Sequence, residues 1–143
     1  MTVKQISVFL ENKPGNLADF TDVLSGQGVD LRALSLAEAE DFGIARIIVD
    51  DVYTASTVLK DAGYVFSITK VLAVEIQDEP GALSKVIRIL GENDINMEYM
   101  YAFLTRKTGV AYMIFRVADN QKAAEVLKTA GIRPICQDEL GKL

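Results

Sequence analysis

The sequence contains one short stretch twice, and this repeat limits the possible folds more than any other feature. The first copy covers residues 12–17 (Asn-Lys-Pro-Gly-Asn-Leu) and the second covers residues 78–83 (Asp-Glu-Pro-Gly-Ala-Leu). Later residues recur at the same spacing, such as Leu24 with Leu90 and Gly43 with Gly109. Near the end of each copy the spacing grows, which predicts two extra residues just before the last helix of the second copy. The chain is therefore one small unit in duplicate.

Each copy shows the same succession of hydrophobic patterns. Alternating apolar residues predict a first strand from about Val3 to Leu10, and its repeat begins near Leu72. An amphipathic helix follows each Pro-Gly pair, and the proline sets the backbone angle for the start of that helix. A hairpin of two strands, a second helix and a last strand complete each copy. The second strands are predicted at about 29–39 and 95–104, the third at 44–49 and 110–115, and the last at 64–69 and 134–137.

This order of elements predicts an α+β chain of two ferredoxin-like βαββαβ units, residues 1–70 and 71–143. No flexible linker separates them, because the last strand of the first unit runs through Lys70 into the next, so we expect one rigid body. The third strands are apolar at successive positions, which is typical of strands buried on both faces. A second sheet or subunit must then cover the face without helices. We therefore expect a homodimer.

Composition excludes several classes of partner. The formal net charge of −5 argues against binding to nucleic acid or to an anionic membrane surface. No apolar run approaches the roughly 20 residues that span a bilayer, and the first residues lack the basic-then-apolar pattern of a signal peptide. The single cysteine, Cys136, can form no internal disulfide, which suits the reducing cytoplasm. We expect a cytoplasmic protein.

The residues needed for most catalytic sites are missing. There is no histidine, so there is neither a histidine general base nor a Ser/His triad. One cysteine excludes a cluster of thiolate ligands, and no phosphate-binding glycine-rich loop is present. Acylphosphatases share this strand order, but they need an arginine in the first loop and residues 12–17 contain none. We therefore expect no enzyme activity, no metal and no cofactor.

The loop between the first strand and the first helix is the best candidate for a binding site. A helix start leaves several backbone N–H groups without partners, and the helix dipole attracts a carboxylate there. Gly15 and Gly81 place no side chain over those groups. Asn12 and Asp78 stand at the preceding strand ends, where they could meet a ligand's ammonium group or bond to the loop. The alternative is that Pro-Gly only makes a turn, capped by the polar side chain.

These loops carry a resemblance to a known family. The pattern Asn12-x-Pro14-Gly15-x-Leu17, with its counterpart from Asp78 to Leu83, resembles the ACT domain, a small regulatory module of amino-acid-controlled enzymes. The runs Gly28-Val29-Asp30-Leu31 and Asp94-Ile95-Asn96-Met97 resemble the start of its second strand. The resemblance covers essentially the whole chain as two ACT units. It implies a ferredoxin-like fold, regulatory binding of an amino acid or similar effector at interfaces between ACT units, and pairing of units into a longer sheet.

The resemblance also nominates ligand-binding residues at both loops, with the start of the second strand expected beside the loop. The first unit has Asn12 where aspartate is usual and Asp30 where asparagine is usual, which keeps a polar pair but allows one unit alone to bind. Asp94 replaces the usual glycine at the helix end, where aspartate can adopt a left-handed turn. The nominated residues are Asn12, Lys13, Pro14, Gly15, Asn16, Leu17, Asp30, Leu31, Asp78, Glu79, Pro80, Gly81, Ala82, Leu83, Asn96 and Met97.

Two functional hypotheses follow from these observations. The first is a regulatory protein of tandem ACT units that binds an amino acid and acts in trans on an enzyme or regulator. The second is an interaction module without a ligand, whose product is an oligomeric interface. A small molecule that stabilises the protein would distinguish the first from the second.

Overall fold

The computed structural model describes all residues from 1 to 143. The chain forms two compact units: residues 4–69, here the N-terminal unit, and residues 70–143 with 1–3, here the C-terminal unit. Each follows the predicted βαββαβ order with antiparallel strand pairs, which confirms the predicted fold class of two ferredoxin-like units. None of the helices has the length and apolar character that crossing a membrane requires.

The N-terminal unit places two helices on one face of its sheet. Its elements are β1 (Val3–Glu11), α1 (Asn16–Ser25), β2 (Leu31–Ala39), β3 (Phe42–Val49), α2 (Val52–Asp61) and the first part of β4 (Val65–Gln77). Strand β3 lies between β1 and β2 and is antiparallel to both. Alternate residues of β1 point to the helices, so Ile6, Val8 and Leu10 are buried with Phe20 of α1 and Leu59 of α2.

The C-terminal unit repeats this arrangement. It contains the rest of β4, α3 (Ala82–Glu92), β5 (Tyr99–Phe103), β6 (Val110–Arg116), α4 (Asn120–Thr129), β7 (Arg133–Pro134) and a 3-10 helix at Gln137–Lys142. Strand β6 lies between β4 and β5, and β7 pairs with the other side of β4. The core joins Leu72 and Val74 of β4 to Val86 and Leu90 of α3 and to Leu127 of α4.

The third strand of each unit carries buried residues on both faces, as predicted. Ile47 and Phe115 belong to the cores beneath the helices. Their neighbours Ile48 and Ile114 point to the opposite face, because successive strand residues alternate, and both are fully buried. The left-handed conformation expected of Asp94 is also present, with φ of 56°.

Several predicted boundaries were wrong. Strand β5 begins at Tyr99 rather than near Ile95, and the last strand is only Arg133–Pro134. The segment to Gln137 instead leads into the 3-10 helix, which Glu139 stabilises by accepting a hydrogen bond from the backbone N–H of Cys136 at 2.7 Å. The prolines do not begin the helices, since α1 and α3 start two residues later.

The two extra residues of the second copy also lie elsewhere than predicted. Ile6 pairs with Ile47, whereas its counterpart Leu72 pairs with Phe115. The spacing between equivalent residues of the two copies therefore already includes the two extra residues at β6. The insertion lies in the hairpin between β5 and β6 and not before α4. Gly43 and Gly109 are consequently not equivalent. The backbone N–H of Asn12 donates to the carbonyl of Asp41, and that of Asp78 donates to the carbonyl of Gly109.

Candidate functional site

The two Pro-Gly loops have nearly the same backbone. Gly15 has φ and ψ of 88° and −19°, and Gly81 has 88° and −14°. This left-handed conformation costs a residue with a Cβ about 1–2 kcal/mol, which accounts for glycine at both positions. A Cβ built on either glycine meets no atom within 4 Å. The space above both helix starts is therefore open to a ligand.

Neither of the helices that follow these loops has a side-chain cap. The backbone N–H groups of Asn16 and Asp19 donate to the carbonyls of Lys13 and Gly15, which leaves those of Leu17 and Ala18 without an acceptor. In α3 the backbone N–H groups of Ala82 and Lys85 donate to the carbonyls of Glu79 and Gly81. The N–H groups of Leu83 and Ser84 are left without an acceptor.

The other two helices differ in this respect. Asp51 accepts from the N–H of Thr54 at the start of α2, and Asp119 accepts from the N–H of Lys122 at the start of α4, both at 3.0 Å. Unpartnered N–H groups and the helix dipole make a site that favours a carboxylate. At the starts of α2 and α4 an aspartate carboxylate already occupies this place, whereas no side chain occupies it at the starts of α1 and α3.

Polar side chains fix the N-terminal loop to its surroundings. The amide nitrogen of Asn12 donates to the carbonyl of Glu40 at 3.3 Å, and that of Asn16 donates to the carbonyl of Glu11 at 3.0 Å. Lys13 Nζ and Glu11 Oε2 are 2.7 Å apart, and this hydrogen-bonded ion pair lowers the pKa of Glu11 and raises the pKa of Lys13. Asn12 thus bonds to the neighbouring hairpin and not to its own loop, which differs from the bond that was predicted.

A cavity of about 200 Å³ lies beside this loop, entirely within the N-terminal unit. Its lining combines the loop with Leu10 of β1, Leu17 of α1 and the hairpin between β2 and β3. Sequence reasoning missed the hairpin residues, because only the register of β2 and β3 brings them to the loop. The full lining is Leu10, Glu11, Asn12, Lys13, Leu17, Leu36, Ala37, Glu38 and Gly43.

The C-terminal loop is as exposed as the N-terminal loop and more acidic. The residues from Asp78 to Gly81 are all exposed, and the carboxylates of Asp78 and Glu79 form no ion pair. Glu79 occupies the position of Lys13, so the charge at this point of the loop is reversed. Pro80 and Ala82 complete the same turn as Pro14 and Asn16.

Asp30 and Asn96 do not lie beside the loop of their own unit, so their predicted placement was wrong. Along β3, Phe42 pairs with Glu11 next to the loop, whereas Val49 pairs with Leu31 at the start of β2. These positions are about 23 Å apart at 3.3 Å per residue. The reason is that β1 and β2 are both antiparallel to β3 and therefore parallel to each other, so the end of β1 and the start of β2 lie at opposite ends of the sheet.

The residues at the start of the second strand have structural partners instead. The N–H of Asp30 donates to Asp50 at 3.0 Å, and its carboxylate pairs with Arg32 at 3.2 Å. Leu31 and Met97 pack against the cores of their units. In the C-terminal unit, β5 and Asn96 lie near Arg116, at the end of the sheet away from Asp78.

A second polar cluster, which the sequence did not indicate, lies on the helix-free face of the C-terminal unit. The hydroxyl of Tyr112 donates to Glu75, and Arg133 pairs with both Glu75 and Glu139. Burial and the bond to Glu75 raise the pKa of Tyr112 to about 12, while that bond lowers the pKa of Glu75. All four side chains are satisfied within the cluster. No group of three or more possible metal ligands occurs in the chain.

The sequence matches a family model for the ACT domain pair over residues 1–143. The chain belongs to the ACT domain pair family. No curated protein sequence matches the chain.

Three solved structures illustrate the similarity of this ACT domain pair to other proteins. A protein from Bacteroides thetaiotaomicron is 40% identical, with a TM-score of 0.92 over 100% of this chain and 98% of its own. The regulatory subunit of aspartate kinase from Thermus thermophilus, in its ligand-free form, is 15% identical, with a TM-score of 0.65 over 89% of this chain and 91% of its own. Aspartokinase III from E. coli, in complex with lysine and aspartate, is 10% identical, with a TM-score of 0.52 over 90% of this chain and 31% of its own.

Proposed function

We propose that this ACT domain pair is a regulatory protein that binds a free amino acid at its Pro-Gly loops. The observation that carries the proposal is the pair of unpartnered N–H groups at the start of α1 and again at the start of α3, beneath open space. A ligand carboxylate would satisfy these donors and interact favourably with the helix dipole. Side-chain caps already fill this role in α2 and α4.

The named relatives support an amino acid as the ligand. The Thermus protein is a regulatory subunit, and the E. coli aspartokinase was solved with lysine and aspartate. This chain matches the fold of the Thermus subunit over 89% of its own length and 91% of that subunit. We therefore infer that it acts in trans on an enzyme or another regulator.

We also infer that the protein is a cytoplasmic homodimer. The ring centroids of Phe9 and Phe42 lie 6.5 Å apart on the helix-free face of the N-terminal unit. Phe9 is 47% exposed and Phe42 is 44% exposed. Val65, which is 68% exposed, lies in the same groove as Phe9. Exposed apolar side chains clustered in this way favour self-association. The cytoplasmic location is supported by the single cysteine, which forms no disulfide.

Thermal unfolding against a panel of free amino acids tests the proposal. A ligand present at 100 times its Kd raises the free energy of unfolding by about 2.7 kcal/mol, which shifts the melting temperature by several degrees in a domain of this size. We expect one chemical class of amino acid to give this shift.

Two matched variants then locate the site. Ala18→Pro removes a free N–H from the first turn of α1, and Ser84→Pro does the same in α3. Proline is tolerated in a first helical turn because the N–H that it lacks has no intrahelical acceptor. We expect one or both variants to lose the ligand-induced shift while keeping the melting temperature of the free protein. If no amino acid shifts the unfolding of the unmodified protein, the interaction module is the better description.

A further inference from the structure

We propose that copies of this protein associate through their helices, by a contact between the N-terminal unit of one copy and the C-terminal unit of another. The surfaces involved are here called the N-terminal helix layer, the exposed side of α1 and α2, and the C-terminal helix layer, the exposed side of α3 and α4. The partner that fits each layer is a second copy of the chain. This inference concerns surfaces away from the Pro-Gly loops and does not depend on the ligand.

The two helix layers carry opposite charges. Helices α1 and α2 contain three acidic residues and one basic residue, whereas α3 and α4 contain four basic residues and two acidic residues. All of these side chains are exposed. The layers therefore have net charges of −2 and +2. Each layer repels a copy of itself and attracts the other layer, because complementary charges steer association and like charges oppose it.

The difference in charge arises at equivalent positions of the two units. Helices α1 and α3 both begin directly after a Pro-Gly loop, so Lys85 occupies the position of Asp19 and Arg88 occupies that of Asp22. Two acidic side chains of one unit are thus replaced by two basic side chains in the other. The second helices change in the same direction, with Thr54 and Asp61 of α2 replaced by Lys122 and Thr129 of α4.

These charges are not neutralised within the chain. Neither Asp19 and Asp22 nor Lys85 and Arg88 form an ion pair. The two members of each pair lie about one turn apart and repel each other. Lys85 also lies in the first turns of α3, near the positive end of the helix dipole, where a basic residue is unfavourable. Local helix stability therefore does not account for the basic residues of α3, whereas a partner of opposite charge does.

Each layer also has exposed side chains suited to a contact between proteins. A groove of about 670 Å³ runs between α1 and α2, and its lining combines Val23 and Val58 with Asp22, Asp61 and Tyr53. Tyr53 is 82% exposed. On the other layer, the exposed Arg88 follows Ile87, which is 42% exposed. Tyrosine and arginine are enriched at protein interfaces, and an arginine is attracted to the face of an aromatic ring. An acidic groove with an exposed tyrosine fits a basic helix of this kind.

The helix layers are separate from the exposed apolar side chains of the sheet. In the N-terminal unit the helices cover one face of the sheet, and Phe9 and Phe42 lie on the other. Contact through the helix layers therefore adds to an association through Phe9 and Phe42 and does not compete with it. Because the contact joins two different surfaces, each copy can make it twice. We expect assemblies larger than those that the sheet face alone would form.

The first test is the dependence of assembly on salt. The molar mass of the unmodified protein is measured by size-exclusion chromatography with light scattering, at ionic strengths of about 0.01 M and about 1 M. The Debye length falls from about 30 Å to about 3 Å between these conditions, so we expect a larger species at low salt and a smaller one at high salt. Association through apolar surfaces alone would persist at high salt. A molar mass that is independent of salt would overturn the inference.

Two charge-reversed variants test which surfaces meet. Asp19→Lys with Asp22→Arg makes both layers basic, and Lys85→Asp with Arg88→Asp makes both layers acidic. Each substitution introduces the residue that the other unit has at the equivalent position, so the helices should tolerate it. We expect each variant alone to self-associate at least about tenfold more weakly at low salt. An equimolar mixture should associate like the unmodified protein, because the layers of one variant then meet layers of opposite charge.

Two further chains separate this contact from effects of net charge and of folding. The chain with all four changes has the original net charge and two layers of opposite sign, so it should self-associate like the unmodified protein. Glu38→Lys with Asp41→Arg reverses two exposed charges in the hairpin between β2 and β3, outside both layers, and should leave association unchanged. Recovery in neither the mixture nor the four-change chain would overturn the inference, as would full association of either charge-reversed variant alone.

Discussion

The two Pro-Gly loops share one backbone and differ in nearly every side chain that a ligand would meet. Gly15 and Gly81 have the same φ, and the same two N–H groups remain free in the helix that follows each loop. Lys13, however, is replaced by Glu79. The comparison shows that the Pro-Gly pair determines the turn and the donors, whereas the choice of ligand depends on residues that have diverged between the units.

The two sheets also differ in the side chains at one pair of equivalent strand positions. Phe9 pairs with Ile44 in the N-terminal unit, and Glu75 pairs with Tyr112 in the C-terminal unit. The first pair leaves Phe9 half exposed. The second is hydrogen-bonded and joined by Arg133. The same backbone position therefore supports an exposed apolar surface in one unit and a closed polar cluster in the other.

The largest effect that we expect concerns the cores, where the comparison is between Phe20 and its counterpart Val86. Both are buried, and Phe20 also makes an edge-to-face contact with Tyr64. Phe20→Ala should lower the free energy of unfolding by about 3–5 kcal/mol, and Val86→Ala by about 2 kcal/mol, because more apolar volume is lost at Phe20. Urea unfolding measures both. Equal losses would mean that the aromatic side chain contributes no more than the aliphatic one.

The caps of the second helices should give a smaller effect. Asp51 accepts from the N–H and the hydroxyl of Thr54, at 3.0 and 2.6 Å, whereas the carboxylate of Asp119 accepts from the N–H of Lys122. Removing a cap costs about 1 kcal/mol, so we expect that loss from Asp119→Ala and a larger one from Asp51→Ala. Thr54→Val, which removes the hydroxyl bond alone, is the matched control. If Asp119→Ala proved the more damaging change, this comparison of the two caps would be incorrect.

The polar cluster of the C-terminal unit should make stability depend on alkaline pH. The pKa of Tyr112 is raised to about 12 in the folded protein, against about 10 in an unfolded chain. The bound proton therefore contributes stability that is fully present below about pH 10 and is lost as the pH rises towards 12. Urea unfolding between pH 9 and 12 should show this decline. It should be weaker in Tyr112→Phe and unchanged in Tyr53→Phe, a matched change at a side chain that is 82% exposed.

The smallest effect that we expect on stability is at Lys13. Its ion pair with Glu11 is exposed, with about two-thirds of each side chain accessible, and exposed pairs contribute about 0–1 kcal/mol. Lys13→Ala should therefore leave the melting temperature of the free protein almost unchanged while it weakens ligand binding. Glu79→Ala is the equivalent change in the other loop, and it should also leave the melting temperature of the free protein unchanged, because Glu79 forms no ion pair. A large loss of stability in Lys13→Ala would show that the loop depends on this ion pair for its structure.

The sequence predicted the fold well because each element appears twice. The alternation of Ile6, Val8 and Leu10 with polar residues identified β1, and its repeat identified the second part of β4. The errors lie where one copy has diverged, as at the short β5 and at the end of the chain. There the bond between Glu139 and the N–H of Cys136 favours a 3-10 helix over the predicted strand.

The candidate site was only partly predictable. The Pro-Gly loops are visible as a motif, because their turn geometry is local. Leu36 and Glu38 reach the cavity through the register of a hairpin, which the sequence does not specify. The predicted position of Asp30 was wrong for a related reason. The motif shows that Asp30 begins the second strand, but it does not show at which end of the sheet that strand begins.

The division between the two units falls at Lys70, inside β4, a strand 13 residues long. Proteases cut most readily at exposed loop tips and need the chain to leave its regular structure. Trypsin should therefore spare the strand around Lys70 and cleave first at Arg106 or Lys107, which are exposed in the connection between β5 and β6. The first fragments from limited digestion would then divide the C-terminal unit rather than separate the two ACT units.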